Sequence, residues 1–134
     1  MISKHISIEE ATQSPTALRL KIDNIPSDEV LENMRLVAEK CFEPIRAWYG
    51  KPIKVNSFYR SLPLNKAVGG SASSQHVKGE AMDISAGSKE ENKKIFDWAK
   101  ANLKFDQLIN EYDYTWVHIS FKKDGNRNQT LVIK

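Results

Sequence analysis

Apolar residues recur at helical spacing in one part of this chain and alternate with polar ones in another. Val30, Met34, Val37, Cys41, Ile45 and Trp48 follow one another at intervals of three and four, which predicts a helix with one apolar face. Ser27 is suited to its N-cap, and Asp28 and Glu29 to the positive end of its dipole. Pro44 is expected to kink this helix, and Gly50 with Pro52 to end it. Ser7-Ile8-Glu9-Glu10 and Ser88-Lys89-Glu90-Glu91 both fit a capping box. The first predicts a short helix that Ser14-Pro15-Thr16 breaks. The second opens a helix whose Ile95, Ala99 and Leu103 face the core.

Strand signals follow the main helix. Ile53, Val55, Ser57 and Tyr59 alternate with Lys54, Asn56, Phe58 and Arg60, and Glu80 to Ser85 reads as a second strand. Phe105 to Tyr112 and Thr115 to Phe121, separated by a short polar turn, read as a hairpin. In its second strand Trp116, His118 and Ser120 share one face, and Val117, Ile119 and Phe121 the other. Asp124-Gly125 turns into a last short strand, Leu131-Val132-Ile133. Two segments read as loops, Thr16 to Pro26 and the polar stretch Ser61 to Gln75 with Gly69-Gly70. The fold class expected is α+β, N-terminal helices packed on a mostly antiparallel sheet, with residues 1–134 forming a single domain.

Composition narrows the function classes. No run of ~20 apolar residues exists to cross a bilayer, so membrane insertion is not expected. The net charge of +3 suits contact with an anionic polymer, but no basic tract argues for nucleic acid. The single cysteine, Cys41, lies in the apolar stripe and reads as a buried small hydrophobe rather than a nucleophile or zinc ligand. Met1 to Ile6 lacks the apolar core of a signal peptide, so the expectation is synthesis in the cytoplasm and delivery by another agent to any target outside it.

The segment Ser74-Gln75-His76-Val77-Lys78-Gly79-Glu80-Ala81-Met82-Asp83, followed later by Trp116-Val117-His118, carries the chemistry. Two imidazoles and one carboxylate could give zinc three protein ligands and leave a fourth position for water, as a catalytic zinc site requires. His76 and Asp83 are too far apart for one helical turn. A loop and a short strand can join them, with Gly79 allowing the bend and Ala81 close packing, while His118 comes from a neighbouring strand. Singly, each residue has an ordinary reading as a strand histidine or a turn aspartate. The joint pattern makes the case.

Ser74-x-His76-x-x-Gly79-x-Ala81-x-Asp83 with Trp116-x-His118 resembles the zinc D-Ala-D-Ala carboxypeptidases and L-alanyl-D-glutamate endopeptidases of the M15 peptidase family, which share a fold with the hedgehog signalling domain. Phe105-Asp106-Gln107-Leu108-Ile109 and Asn56-Ser57-Phe58-Tyr59-Arg60-Ser61 resemble the small phage-associated branch of that family. The resemblance covers roughly residues 1 to 121. It implies a hedgehog/DD-peptidase-like fold, Zn2+ as cofactor, and His76, Asp83 and His118 as its ligands. Arg60 matches an arginine that holds the scissile carbonyl or a substrate carboxylate, and its alternative reading is a surface arginine at a strand end. Ser74 and Gln75 match positions that bind a peptide substrate, or else they only shape the loop. Trp116 either walls the site or packs ordinarily.

One position departs from the family pattern. Where other members carry Glu or Asp three residues before the last histidine, this chain has Thr115, which cannot deprotonate water. Glu111 is the preferred general base because it precedes the hairpin turn and can face inward. Asp113, in the turn itself, is the alternative, and a third is that neither serves. The activity implied is zinc-dependent hydrolysis of an amide in the peptide stem of bacterial peptidoglycan. A compact single-domain form without a signal peptide suits a monomeric phage endolysin, and a bacterial wall-recycling enzyme or a lytic part of a phage particle would look similar. The rival readings are a zinc-binding hedgehog-like module or a structural phage protein, neither of them catalytic.

Overall fold

The computed structural model covers residues 1–134. Helices α1 (Ile8–Thr12), α2 (Pro15–Leu20), α3 (Asp28–Val37) and α4 (Glu43–Tyr49) precede strand β1 (Lys54–Ser57). Helix α5 (Leu62–Ala67), strand β2 (Ala81–Ser85), helix α6 (Lys89–Asn102) and strands β3 (Gln107–Glu111), β4 (Trp116–Ser120) and β5 (Gln129–Ile133) complete the chain. The strands form one sheet in the order β1-β2-β4-β3-β5. All neighbours are antiparallel except β3 and β5. The fold is α+β, as its residue pattern predicts.

Serine starts these helices. Ser7, Ser14, Ser27, Ser61 and Ser88 each accept, through the side-chain oxygen, a hydrogen bond from the amide three residues on. This satisfies one of the amides that a helix N-terminus leaves without an internal partner. Two of these caps correct the expected loops. Thr16 to Pro26 is not loop throughout, because Ser14 caps α2 with Pro15 in its first turn. Likewise the stretch Ser61 to Gln75 opens with α5, capped by Ser61 and carrying Pro63 in its first turn. Proline's missing N–H costs nothing there, and its fixed φ suits the helix.

Pro44 is accommodated by a change of helix type. A π-helical turn, Ala38–Phe42, joins α3 to α4, and the Glu43 amide donates to the Ala38 carbonyl five residues back. The wider turn shifts the helical phase. Met34, Val37, Cys41 and Ile45 are fully buried, whereas Trp48, expected on the same face, is 43% exposed and stacks on Trp98 at 5.0 Å. Burial pushes the Cys41 thiol up to about 12, so it packs as a neutral side chain. In β1 the register against β2 shifts between Val55 and Ser57. This irregularity reverses the alternation, and Phe58 is buried where Ser57 was expected.

The sheet has two unlike faces. Met82, Ile84, Leu108, Val117 and Ile119 are buried in the core cluster with residues of α3, α4 and α6. Asp83, Ile109 and His118 lie across from one another on the opposite face, with Glu111 and Trp116 one pair further along. The segment from Arg60 to Glu80 bounds that second face, held by the Arg60 amide donating to the His76 carbonyl at 3.1 Å.

Gly79 fixes how this segment meets α3. Its φ is +72°, and a Cβ there would sit 2.7 Å from Met34 Cγ and 2.9 Å from the Val30 carbonyl oxygen. Gly79→Ala combines a left-handed backbone with overpacking, and is expected to lower the unfolding free energy by about 2–4 kcal/mol in urea denaturation. A loss below ~0.5 kcal/mol would mean that the contact with α3 is not tight.

Candidate metal centre

Three ligand-type side chains converge on the second face of the sheet. Asp83 on β2 and His118 on β4 are direct cross-strand partners, and His76 approaches from the segment above them. One Asp83 oxygen lies 3.3 Å from His76 Nε2 and the other 2.9 Å from His118 Nδ1. One donor atom from each residue lies within 4.8 Å of the other two. Burial raises the Asp83 carboxyl, but the two imidazoles outweigh it and hold the group well below the usual carboxylate range.

The donor set fits a divalent ion with a preference for nitrogen and oxygen. His76 Nδ1 is 2.7 Å from the Phe58 carbonyl oxygen, which can only accept, so the ring proton sits on Nδ1. Nε2 is thereby the ring nitrogen that faces Asp83, on the side where a metal would bind. A carbonyl accepting from the far ring nitrogen is a usual way for a metal-binding histidine to be oriented. Two imidazoles and one carboxylate also match the three-ligand sets of zinc hydrolases.

A groove of about 910 Å³ opens over the triad. Glu111 lines it, with its carboxylate 3.8 Å from His118 Nδ1 and accepting from Trp116 Nε1 at 3.0 Å. Burial and, secondarily, the Asp83 charge raise the Glu111 carboxyl. Arg60 also lines the groove. Burial lowers its guanidinium, Asp83 and Glu111 oppose that shift, and its Nε is buried without a partner. Asp113 is elsewhere: its side chain is 80% exposed and pairs with Lys89. Thr115 turns its hydroxyl back to the Tyr112 carbonyl at 2.5 Å.

The family model of Peptidase M15 matches residues 4–120. The chain belongs to the M15 peptidase family. A stretch of 38 residues is 50% identical to the zinc D-Ala-D-Ala carboxypeptidase of Streptomyces albus G. That stretch is 28% of this chain and spans only 15% of the relative's length.

Within this M15 family member, the other sequence-derived site residues differ in what holds them. The Ser74 hydroxyl accepts from the His76 amide at 3.2 Å and so shapes the loop. The Gln75 side-chain amide donates to Asp106 at 3.0 Å, and its oxygen is buried without a partner. Trp116 is half-buried, with its ring 5.1 Å from that of Tyr112, which also lines the groove.

Asp106 is the residue that sequence reasoning missed. It is fully buried and accepts from the backbone amide, Nε and Nη2 of Arg127 at 3.0, 3.0 and 2.7 Å. It therefore ties the loop of His76 to the segment after β4. No local pattern signals this, since residues 75, 106 and 127 meet only in the fold.

The Arg127 bonds hold Asp106 well below the usual carboxylate range. A carboxyl depressed by folding adds stability in full above its unfolded value of ~3.9, and that stability is lost as pH falls below it. Asp106→Asn is therefore expected to cost about 2–4 kcal/mol at pH 7, with the gap to wild type narrowing below ~pH 4. Urea midpoints measured from pH 7 to pH 3 check this, and a gap that held constant with pH would count against it.

Proposed function

We propose that this chain is a zinc-dependent peptidase that hydrolyses an amide bond in the peptide stem of bacterial peptidoglycan. The observation that carries the reading is the Glu111 carboxylate beside the His76–Asp83–His118 triad, raised by burial and anchored by Trp116. A triad without such a carboxylate would bind a metal but lack a group to move protons. The partial identity to a zinc D-Ala-D-Ala carboxypeptidase supports the substrate class.

His76, Asp83 and His118 would hold Zn2+, which when bound supplies a Lewis acid for the scissile carbonyl and acidifies water toward a pKa of ~7. Glu111 takes the proton of the attacking water and delivers it to the leaving amine. A carboxyl raised toward the working pH is suited to both transfers. The Arg60 guanidinium is the donor for the oxyanion that develops on the carbonyl, and its partnerless buried Nε supports that role. Trp116 keeps Glu111 turned toward the groove. In this reading the protein works as a phage endolysin, reaching the wall through another agent.

The test is release of new amine termini from purified peptidoglycan, with mass spectrometry of the products to identify the bond cut. Chelation is expected to abolish release and added zinc to restore it. Glu111→Gln should lower kcat by about 10²–10⁴-fold while zinc content and melting temperature stay unchanged. Asp113→Asn should retain activity. No release from any wall type would favour a non-catalytic zinc module, and full activity in Glu111→Gln would remove Glu111 as the base.

A further inference from the structure

The groove has a second charged region, whose two cations, Lys122 and Arg127, lie beyond the family match. From His118 the chain runs to the end of β4 at Ser120 and on to Lys122, two residues past the strand and at most ~13 Å from His118 at ~3.3 Å per residue. Glu111 and Trp116 lie in the opposite direction. Lys122 and Arg127 both line the groove, so it extends along β4 from Trp116 to this cationic end.

Asp106 does not consume both cations. Arg127 and Gln75 supply it with four donors at 2.7–3.0 Å, which fill the roughly four lone-pair sites of a carboxylate. Lys122 Nζ stands further off, at 3.7 Å, with a third of its side chain exposed. It is also preset by its own backbone. The Asn126 side chain accepts from the Lys122 amide at 2.7 Å and donates to its carbonyl at 2.8 Å. Lys122 and Arg127 share this end of the groove with buried Asp106 and with Glu80, whose carboxylate Gln75 contacts at 3.4 Å.

We propose that Lys122 is a specificity-determining residue, receiving a carboxylate on the bound peptide some ~10–13 Å from the scissile amide. The chain then prefers stem peptides whose acidic side branch is free over those in which it is amidated. The proposal rests on the peptidase reading for its substrate class, but it concerns binding and is read without turnover.

The probes are the synthetic peptide L-Ala-γ-D-Glu-L-Lys-D-Ala-D-Ala, whose terminal amide lies at about that distance from the glutamate α-carboxylate, and its counterpart with that carboxylate converted to a carboxamide. Calorimetric titration into the Glu111→Gln protein is expected to give about tenfold tighter binding of the free acid, the size of one charge-assisted contact. The preference should fall to about twofold or less in Glu111→Gln/Lys122→Gln, persist in Glu111→Gln/Lys122→Arg, and shrink in ~0.5 M NaCl. Equal affinity for the two peptides, a preference that survives Lys122→Gln, or no binding of either peptide would overturn the proposal. A wild-type protein that cuts nothing yet keeps the binding preference would instead overturn the peptidase reading alone.

Discussion

Asp83 and His118 face each other because Met82, Ile84, Val117 and Ile119 must be buried. Met82 pairs with Ile119 and Ile84 with Val117, all four with essentially no exposure, and the residues between them necessarily point to the other side of the sheet. A slip of one residue would bring aliphatic side chains into the groove and put the carboxylate in the core. The hydrophobic core thus holds the register, and the register holds two of the three metal-type ligands. The third depends on a separate constraint, the close seat of Gly79 on α3, which lets the His76 segment lie down over the sheet. Core packing and site geometry are one arrangement seen from two faces.

The turn after Glu111 has the least favourable backbone in the molecule. Tyr112, Asp113 and Tyr114 have φ values of 52°, 54° and 59°, three consecutive non-glycine residues in the left-handed region. Each costs roughly 1–2 kcal/mol. Buried asparagines offset this from below. Asn110 Oδ1 accepts from the Tyr114 amide, and Asn92 on α6 donates to the carbonyls of Tyr114 and Thr115. On the outer side the Tyr112 amide donates to the Ile133 carbonyl of β5. The hairpin end that carries Glu111 and Trp116 is therefore braced by both the helix layer and the last strand. Such bracing is what a groove wall needs if its side chains are to hold their directions.

Much of this was legible in the residues. The serine caps, the apolar stripe of α3, the Gly50 stop and the hairpin all rest on local chemistry, and the fold shows each of them. The His76, Asp83 and His118 pattern pointed to a cluster, and the fold brings the three together. The misses have local causes too. Pro15 reads as a breaker because proline is hostile inside a helix, and Ser61 to Gln75 reads as loop for its polar residues and glycines, yet in both places a proline after a capping serine starts a helix. The β1 irregularity and the π turn each displace the period by one position, which no periodicity count detects. Asp106 lay within a quoted motif, but its partners at 75 and 127 are distant in sequence and close only in the fold.

The departure at Thr115 is where chain geometry bears most directly on mechanism. In β3, Ile109 stands directly opposite His118, and Glu111, two residues on, is its diagonal neighbour on the same face. A carboxylate at 111 can therefore approach the His118 imidazole from the adjacent strand. Thr115, outside β4 and in the turn, does not line the groove and turns its hydroxyl to the Tyr112 carbonyl. Trp116 gains a function from this arrangement, since its indole N–H supplies the one hydrogen bond that keeps the Glu111 carboxylate over the groove. The proposed chemistry then rests on a pair, Glu111 and Trp116, rather than on a single acidic position.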